Sequence, residues 1–237
     1  MRPLVTIGGT SGSGTRALCR ICMDAGIFMG SNLGTKIDPS YDAINFFPWF
    51  WKYVNSWLYE KLLPFTLEKE NEMVRHFHEC AKNHLKEMPD SYDKWGHKSA
   101  LSIHLLSFWH KYFPDMKFIH VVRDGRDMAY SKNGINSLEN HGYEFLKNEI
   151  KSPLDVLNVW SIVNLDAAIY GTSKMKDNYM QIKFEDLCSE PHRILPQIFN
   201  FLEIKDADIN KTLEWLTIPN STGRWKEHSD EMKNMTK

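Results

Sequence analysis

Three observations predict an α/β fold of the P-loop type, a three-layer structure with a central parallel β-sheet flanked by helices. Short apolar runs at Leu4–Ile7, Lys117–Val122 and Tyr179–Lys183 read as buried strands. Long helical stretches separate them, which calls for crossover connections and a parallel sheet. The first strand breaks directly into Gly8-Gly9-Thr10-Ser11-Gly12-Ser13-Gly14-Thr15-Arg16, after which Ala17-Leu18-Cys19 opens a helix. Such a loop surrounds an anion with backbone N–H groups and a helix N-terminus.

The loop lacks one feature. Loops that bind ATP phosphates end in Gly-Lys-Ser/Thr, whereas here Gly14 is followed by Thr15-Arg16. The sequence therefore predicts a phosphate site without the usual ATPase lysine. The aromatic stretch from Phe46 to Tyr59 reads either as a core helix or as the wall of an acceptor pocket. The charged helix over Glu68–Lys86 carries His76, His78 and His84, which read as solvated surface residues in poor geometry for a metal. A further short strand is expected before His97.

Composition narrows the partners. At 237 residues with no repeats or linkers, the chain reads as a single domain over residues 1–237. A net charge of -1 argues against a nucleic-acid partner, so an anion site has to be a local cluster of Arg and Lys. The four cysteines (Cys19, Cys22, Cys80, Cys188) include one CxxC pair inside a predicted helix and read as buried thiols. No signal sequence and no integral membrane segment are evident, so a cytoplasmic location is expected. The alternative is a soluble catalytic domain of a Golgi-lumen or secreted precursor, which the tripeptides at Asn210, Asn220 and Asn234 favour weakly.

Two further motifs carry chemistry. After the strand Phe118-Ile119-His120-Val121-Val122 come Arg123-Asp124-Gly125-Arg126-Asp127 and then a helix. Asp124 or Asp127 caps that helix while Arg123 stays free at the sheet's edge, and Ser131, two helical turns on, converges with it on one anion. The alternative is a surface turn stapled by Arg–Asp pairs. A cation between the strand and Asp124 disfavours magnesium and favours phosphate. Near the end, Ser221-Thr222-Gly223-Arg224-Trp225-Lys226 reads as a closing loop that lays two cations on a phosphate, or as a disordered tail.

In this order the three elements resemble the sulfotransferases that use 3′-phosphoadenosine 5′-phosphosulfate (PAPS), the Golgi and bacterial-type branch rather than the steroid and phenol branch. Gly14-Thr15-Arg16-Ala17-Leu18 resembles the family's 5′-phosphosulfate loop, and Lys117 to Asp127 its 3′-phosphate motif. Gly96-His97-Lys98 is similar to a segment that places a lysine after a short strand, and Ile182 to Leu187 to one that runs past the adenine. The resemblance implies that Gly12, Ser13, Gly14, Thr15 and Arg16 hold the 5′-phosphosulfate. It places Arg123 and Ser131 on the 3′-phosphate, assisted by Arg224, Trp225 and Lys226, with Phe184 near the adenine. Two departures stand out. Gly12 occupies a position where family members carry Lys or Arg, and Ala17 replaces an aromatic found in many cytosolic members.

The resemblance further implies transfer of the sulfuryl group of PAPS to an acceptor hydroxyl or amine, with adenosine 3′,5′-bisphosphate released and no metal required. Lys98, with Thr15 and Arg16 beside it, is expected to meet the charge developing on the bridging oxygen. The acceptor's proton needs a base. Asp42 is the first choice, with Asp38 and His97 as alternatives, and Asp42 is equally suited to capping a helix. The class of acceptor is not legible. A P-loop kinase of nucleotides or small metabolites, and a nucleotide-binding module without activity, remain as competing functions.

Overall fold

The computed structural model describes residues 4–31, 45, 46, 48–50, 52–54, 66–131 and 150–230. Among these, β1 (Leu4–Gly8), β2 (Ile27–Phe28), β3 (Lys94–Lys98), β4 (Lys117–Val122) and β5 (Tyr179–Lys183) form one sheet. The helices are α1 (Thr15–Asp24), α2 (Leu67–Lys86), α3 (Leu106–Tyr112), α4 (Gly125–Ala129), α5 (Pro153–Tyr170), α6 (Phe184–Ser189), α7 (Pro191–Phe201) and α8 (Ile209–Leu213). The strand order is β2-β3-β1-β4-β5 and every pairing is parallel. All carboxyl ends therefore lie along one rim, with β1 at its middle. Ile7 is in register with Lys98 on one side and Ile119 on the other. That register brings the glycine loop, Lys98 and the turn after Val122 to the same rim, where open parallel sheets bind their ligands.

Strand alternation sorts the core into two layers. Val5, Ile7, Ile119, Val121 and Ile182 pack against Leu18, Ile21 and Cys22 of α1 and Leu195 and Ile198 of α7. On the other face, Leu4, Trp95, Phe118 and Tyr179 meet α2, α3 and the aromatic stretch. Phe46, Trp49, Phe50 and Tyr53 are all buried there, so these residues belong to the core and not to a pocket wall. The indole of Trp49 donates to the Met73 carbonyl at 2.9 Å, which satisfies its polar edge.

One expectation is overturned on α2. His84, read as a solvated surface residue, is fully buried between the rings of Phe28, Phe46 and Trp95. The inward stripe of α2 runs Met73, Phe77, Cys80 and Ala81, and the next helical step is His84. Burial pushes its pKa down to about 4. His76 and His78 do retain solvent exposure. All four cysteines are free thiols; Cys19, Cys22 and Cys80 are buried as the sequence predicts, whereas Cys188 is only half-buried.

A groove of about 580 Å³ lined by Lys94, Phe113, Lys117 and Glu203 opens at the amino ends of the strands. It is separated from the glycine loop by the length of β1, about 16 Å. Among the described residues no helix is long and apolar enough to cross a membrane.

Candidate active site

The glycine loop is shaped by positive backbone angles and close approach. Gly12 and Gly14 have φ of 85° and 97°, and a Cβ on Gly14 would overlap the Phe184 ring. Gly14 is the N-cap of α1, which consequently has no side-chain cap and no acidic residue in its first turn. Thr66, Asp124, Ser152 and Asp208 cap α2, α4, α5 and α8 with side-chain oxygens, whereas α3, α6 and α7, like α1, have no side-chain cap. What sets the start of α1 apart is that it opens directly from the glycine loop, with buried Thr15 and exposed Arg16 in its first turn, a setting that suits an anion. The hydroxyls of Thr10 and Ser13 are buried in the loop without a hydrogen-bond partner, and so is Nε of Arg123. Buried polar atoms are normally satisfied, so this cluster fits a bound anion.

Arg123, expected to stand free, is engaged on both sides. Its Nη1 donates to the Gly12 carbonyl at 3.3 Å and its Nη2 to the Ser221 hydroxyl at 2.7 Å. Its guanidinium lies over the Phe184 ring at 5.9 Å and 4.0 Å from the Asp127 carboxylate. With its side chain only 11% exposed, a cation here needs such partners. Of the two candidate caps, Asp124 performs the role, accepting from the Arg126 N–H at 2.9 Å and holding the Arg126 side chain at 2.6 Å. Burial would raise the Asp124 carboxyl, but the hydrogen bonds from Arg126 outweigh it and hold the pKa below the usual value. The Asp124 N–H in turn donates to Glu185 at 2.9 Å, tying the turn to α6.

Helix α4 ends at Ala129, shorter than the two turns expected, and Ser131 follows it with its N–H on the Met128 carbonyl. Onto this turn folds the C-terminal segment, whose residues Arg224–His228 form a 3-10 helix and not a disordered tail. Asp127 accepts from the N–H groups of Gly223 at 2.9 Å and Trp225 at 3.4 Å. Arg224 donates to the Tyr130 carbonyl at 3.3 Å, Arg126 stacks over Trp225 at 3.8 Å, and the rings of Tyr130 and His228 lie parallel at 4.1 Å. Lys226 is exposed on this segment. The sequence pattern does not mark Ser221, Tyr130 or His228 individually. Nothing in the sequence pairs positions so far apart.

Lys98 closes β3 at the rim and is 5% exposed. Phe184, expected near an adenine, is 5% exposed and backs the loop between Gly14 and Arg123. His97 is removed as a candidate base. Its ring faces the opposite layer, enclosed by Phe46, Phe50, Phe77 and Trp109, with Nε2 3.3 Å from the Thr6 hydroxyl. Burial, reinforced by nearby His84, pushes its pKa down to about 3. Asp38 and Asp42 lie outside the described residues. Among the described residues no cluster of three His, Cys, Asp or Glu offers a metal site.

A model of the sulfotransferase family matches residues 3–208 of the chain. The chain belongs to the sulfotransferase family, and it is a PAPS-dependent sulfotransferase. The kinase alternative is thereby set aside. Several solved structures are similar in fold. A sulfotransferase from Alicyclobacillus acidocaldarius is 15% identical with a TM-score of 0.54, over 98% of this chain and 91% of that one. The sulfotransferase domain from the curacin biosynthetic pathway is 16% identical with a TM-score of 0.55, over 94% and 81%. A retinol dehydratase, solved in complex with retinol and PAP, is 14% identical with a TM-score of 0.50, over 99% and 79%. No curated protein sequence matches the chain.

Proposed function

We propose that the rim binds PAPS and transfers its sulfuryl group in-line to an acceptor hydroxyl or amine, releasing adenosine 3′,5′-bisphosphate. The observation that carries this reading is Arg123, which joins the glycine loop at Gly12 to the C-terminal segment at Ser221. Three motifs far apart in sequence thus meet around one concentration of positive charge, beside polar atoms that still lack partners. The complex of the similarly folded retinol dehydratase with PAP supports the choice of nucleotide.

In this reading Gly12 to Arg16 hold the 5′-phosphosulfate through loop N–H groups, the Ser13 and Thr15 hydroxyls and the Arg16 charge. Arg123 and Ser131 hold the 3′-phosphate, with Arg224, Trp225 and Lys226 closing over it. Phe184 supports the loop and Arg123 at the adenine end. Lys98 and Thr15 face the bridging oxygen and stabilise the charge that builds there as the bond to sulfur breaks. Asp42 takes the acceptor's proton. It stands four residues before buried Phe46, whose ring is anchored against Trp95 and His97. The whole chain, residues 1–237, acts as one domain.

Turnover of labelled PAPS over a panel of hydroxyl and amine acceptors tests this function. Transfer by the native protein and a loss of at least about a hundred-fold in kcat for Asp42→Asn are expected, the scale of a missing general base. Absence of transfer to every acceptor, with the nucleotide bound, would instead identify a binding module. Near-normal turnover by Asp42→Asn alone would move the base to Asp38.

A further inference from the structure

Two arginines proposed for the 3′-phosphate come from separate motifs, and something has to fix one against the other. The carboxylate of Asp127 is placed to do so. It is 2% exposed, and its two oxygens are taken by the backbone N–H groups of Gly223 and Trp225. These are the residues on either side of Arg224. Holding both flanking N–H groups fixes the position and direction of the Arg224 side chain, while Arg123 lies 4.0 Å away on the same carboxylate. Three contacts brace the arrangement from outside: Arg224 on the Tyr130 carbonyl, Arg126 on Trp225, and Tyr130 on His228.

We propose that Asp127 is a positioning residue that assembles the 3′-phosphate half-site by bracketing Arg224 and balancing Arg123. The cap of α4 is already supplied by Asp124, so Asp127 is not needed to start that helix. Residues 221–228 lie beyond the part of the chain that the family model matches. The buried carboxylate is the device by which this C-terminal segment is tied to a motif inside it. Asp127 touches neither substrate nor reacting atoms and acts through Arg224. The inference rests on the PAPS reading above.

The test compares binding of adenosine 3′,5′-bisphosphate with binding of adenosine 5′-monophosphate, which lacks the 3′-phosphate. The native protein prefers the bisphosphate. Asp127→Asn retains the shape but replaces one acceptor oxygen with an amino group facing an N–H. Its affinity for the bisphosphate falls by roughly ten-fold or more, the scale of a lost charged hydrogen bond, while monophosphate binding stays within about two-fold. Arg224→Ala shows the same selective loss, and the double variant is no weaker than Arg224→Ala alone, because one residue acts through the other. Equal weakening of both nucleotides by Asp127→Asn, or additive losses in the double variant, overturns the proposal. Should Asp127→Asn fail to fold, His228→Ala carries the test. That exposed substitution releases the far end of the segment and lowers bisphosphate affinity selectively by about three-fold, on the scale of one stacked aromatic pair. Unchanged selectivity there overturns the proposal as well. A native protein that binds no bisphosphate defeats the PAPS reading itself, which is visible before any variant is made.

Discussion

Arg123 illustrates how a single side chain can organise an anion site. A guanidinium has five donors in a fixed fork, so it can hold the Gly12 carbonyl and the Ser221 hydroxyl and still present Nε to a ligand. Lysine is a point charge and cannot do this. Arg123→Lys is expected to weaken adenosine 3′,5′-bisphosphate binding by at least about ten-fold in calorimetry despite conserving charge. An unchanged affinity would show that charge alone matters at this position. Lys98 contributes differently, since the charge it meets is largest in the transition state. Lys98→Ala should lower kcat by about a hundred- to a thousand-fold with little change in the KM for PAPS. A rise in KM at constant kcat would place Lys98 in ground-state binding instead. The departure at Gly12 also gains a physical meaning at this scale. With φ at 85°, its backbone turns the carbonyl to Arg123, so a residue that brings no charge engages a neighbouring one.

Among the elements, the loop and α1 depend on a contact that sequence patterns do not display. Gly14 has φ of 97° and lies against Phe184. Gly14→Ala should therefore destabilise the protein by more than the roughly 1–2 kcal/mol of a left-handed alanine, because its Cβ also meets the ring. It should lose nucleotide binding as well, and the losses from Gly14→Ala and Phe184→Ala should be less than additive in denaturant unfolding. Fully additive losses would mean that backbone strain alone sets the cost. The strands β1 and β4 were legible because each is a mainly apolar run buried on both faces, and the edge strand β5 because Tyr179, Met180 and Ile182 are apolar and two of them are buried. At two residues, β2 is too short to show any alternation, and it emerges only through pairing with β3. The motifs at Gly8–Arg16 and Arg123–Asp127 were legible because turns and anion sites demand particular residue types. The joining of Asp127 to Gly223 and Trp225 was not, since it depends on backbone N–H groups that any residue would supply.

At the scale of the molecule, three histidines buried among the described residues make stability dependent on pH. His84, His97 and His120 are fully buried, and burial lowers their pKa values to about 4, 3 and 4. His120 is held neutral between the Tyr179 hydroxyl at 2.6 Å and Asn164 Oδ1 at 2.9 Å. Asn164 donates its Nδ2 to the Trp160 carbonyl, so its oxygen accepts from His120 Nε2, and Nδ1 accepts from Tyr179. The unfolded chain binds protons at these sites near pH 6.5, whereas the folded protein excludes them. Stability is therefore complete above pH 6.5 and falls as the pH drops towards the folded pKa values. At pH 5 the penalty is about 2 kcal/mol per histidine. Three such terms are comparable to the whole stability of an ordinary domain, about 5–15 kcal/mol. Urea unfolding at pH 7.5 and pH 5 should show this loss, and His120→Gln should flatten the dependence by one proton. A stability constant across that interval would contradict the burial of these rings. Residue type alone places His84 on the surface; the sign of its burial lies in the helical spacing of Met73, Phe77, Cys80 and Ala81 before it.

The central claim, a rim built for adenosine 3′,5′-bisphosphate and its sulfated donor, is tested most directly by a thermal-shift titration without metal. Ligand that binds only the folded state raises the unfolding temperature in proportion to RT ln(1 + [L]/Kd). Adenosine 3′,5′-bisphosphate should raise it steadily in the presence of a chelator, and ATP with magnesium should raise it far less. No shift with the bisphosphate, or a larger one with ATP and magnesium, would contradict it.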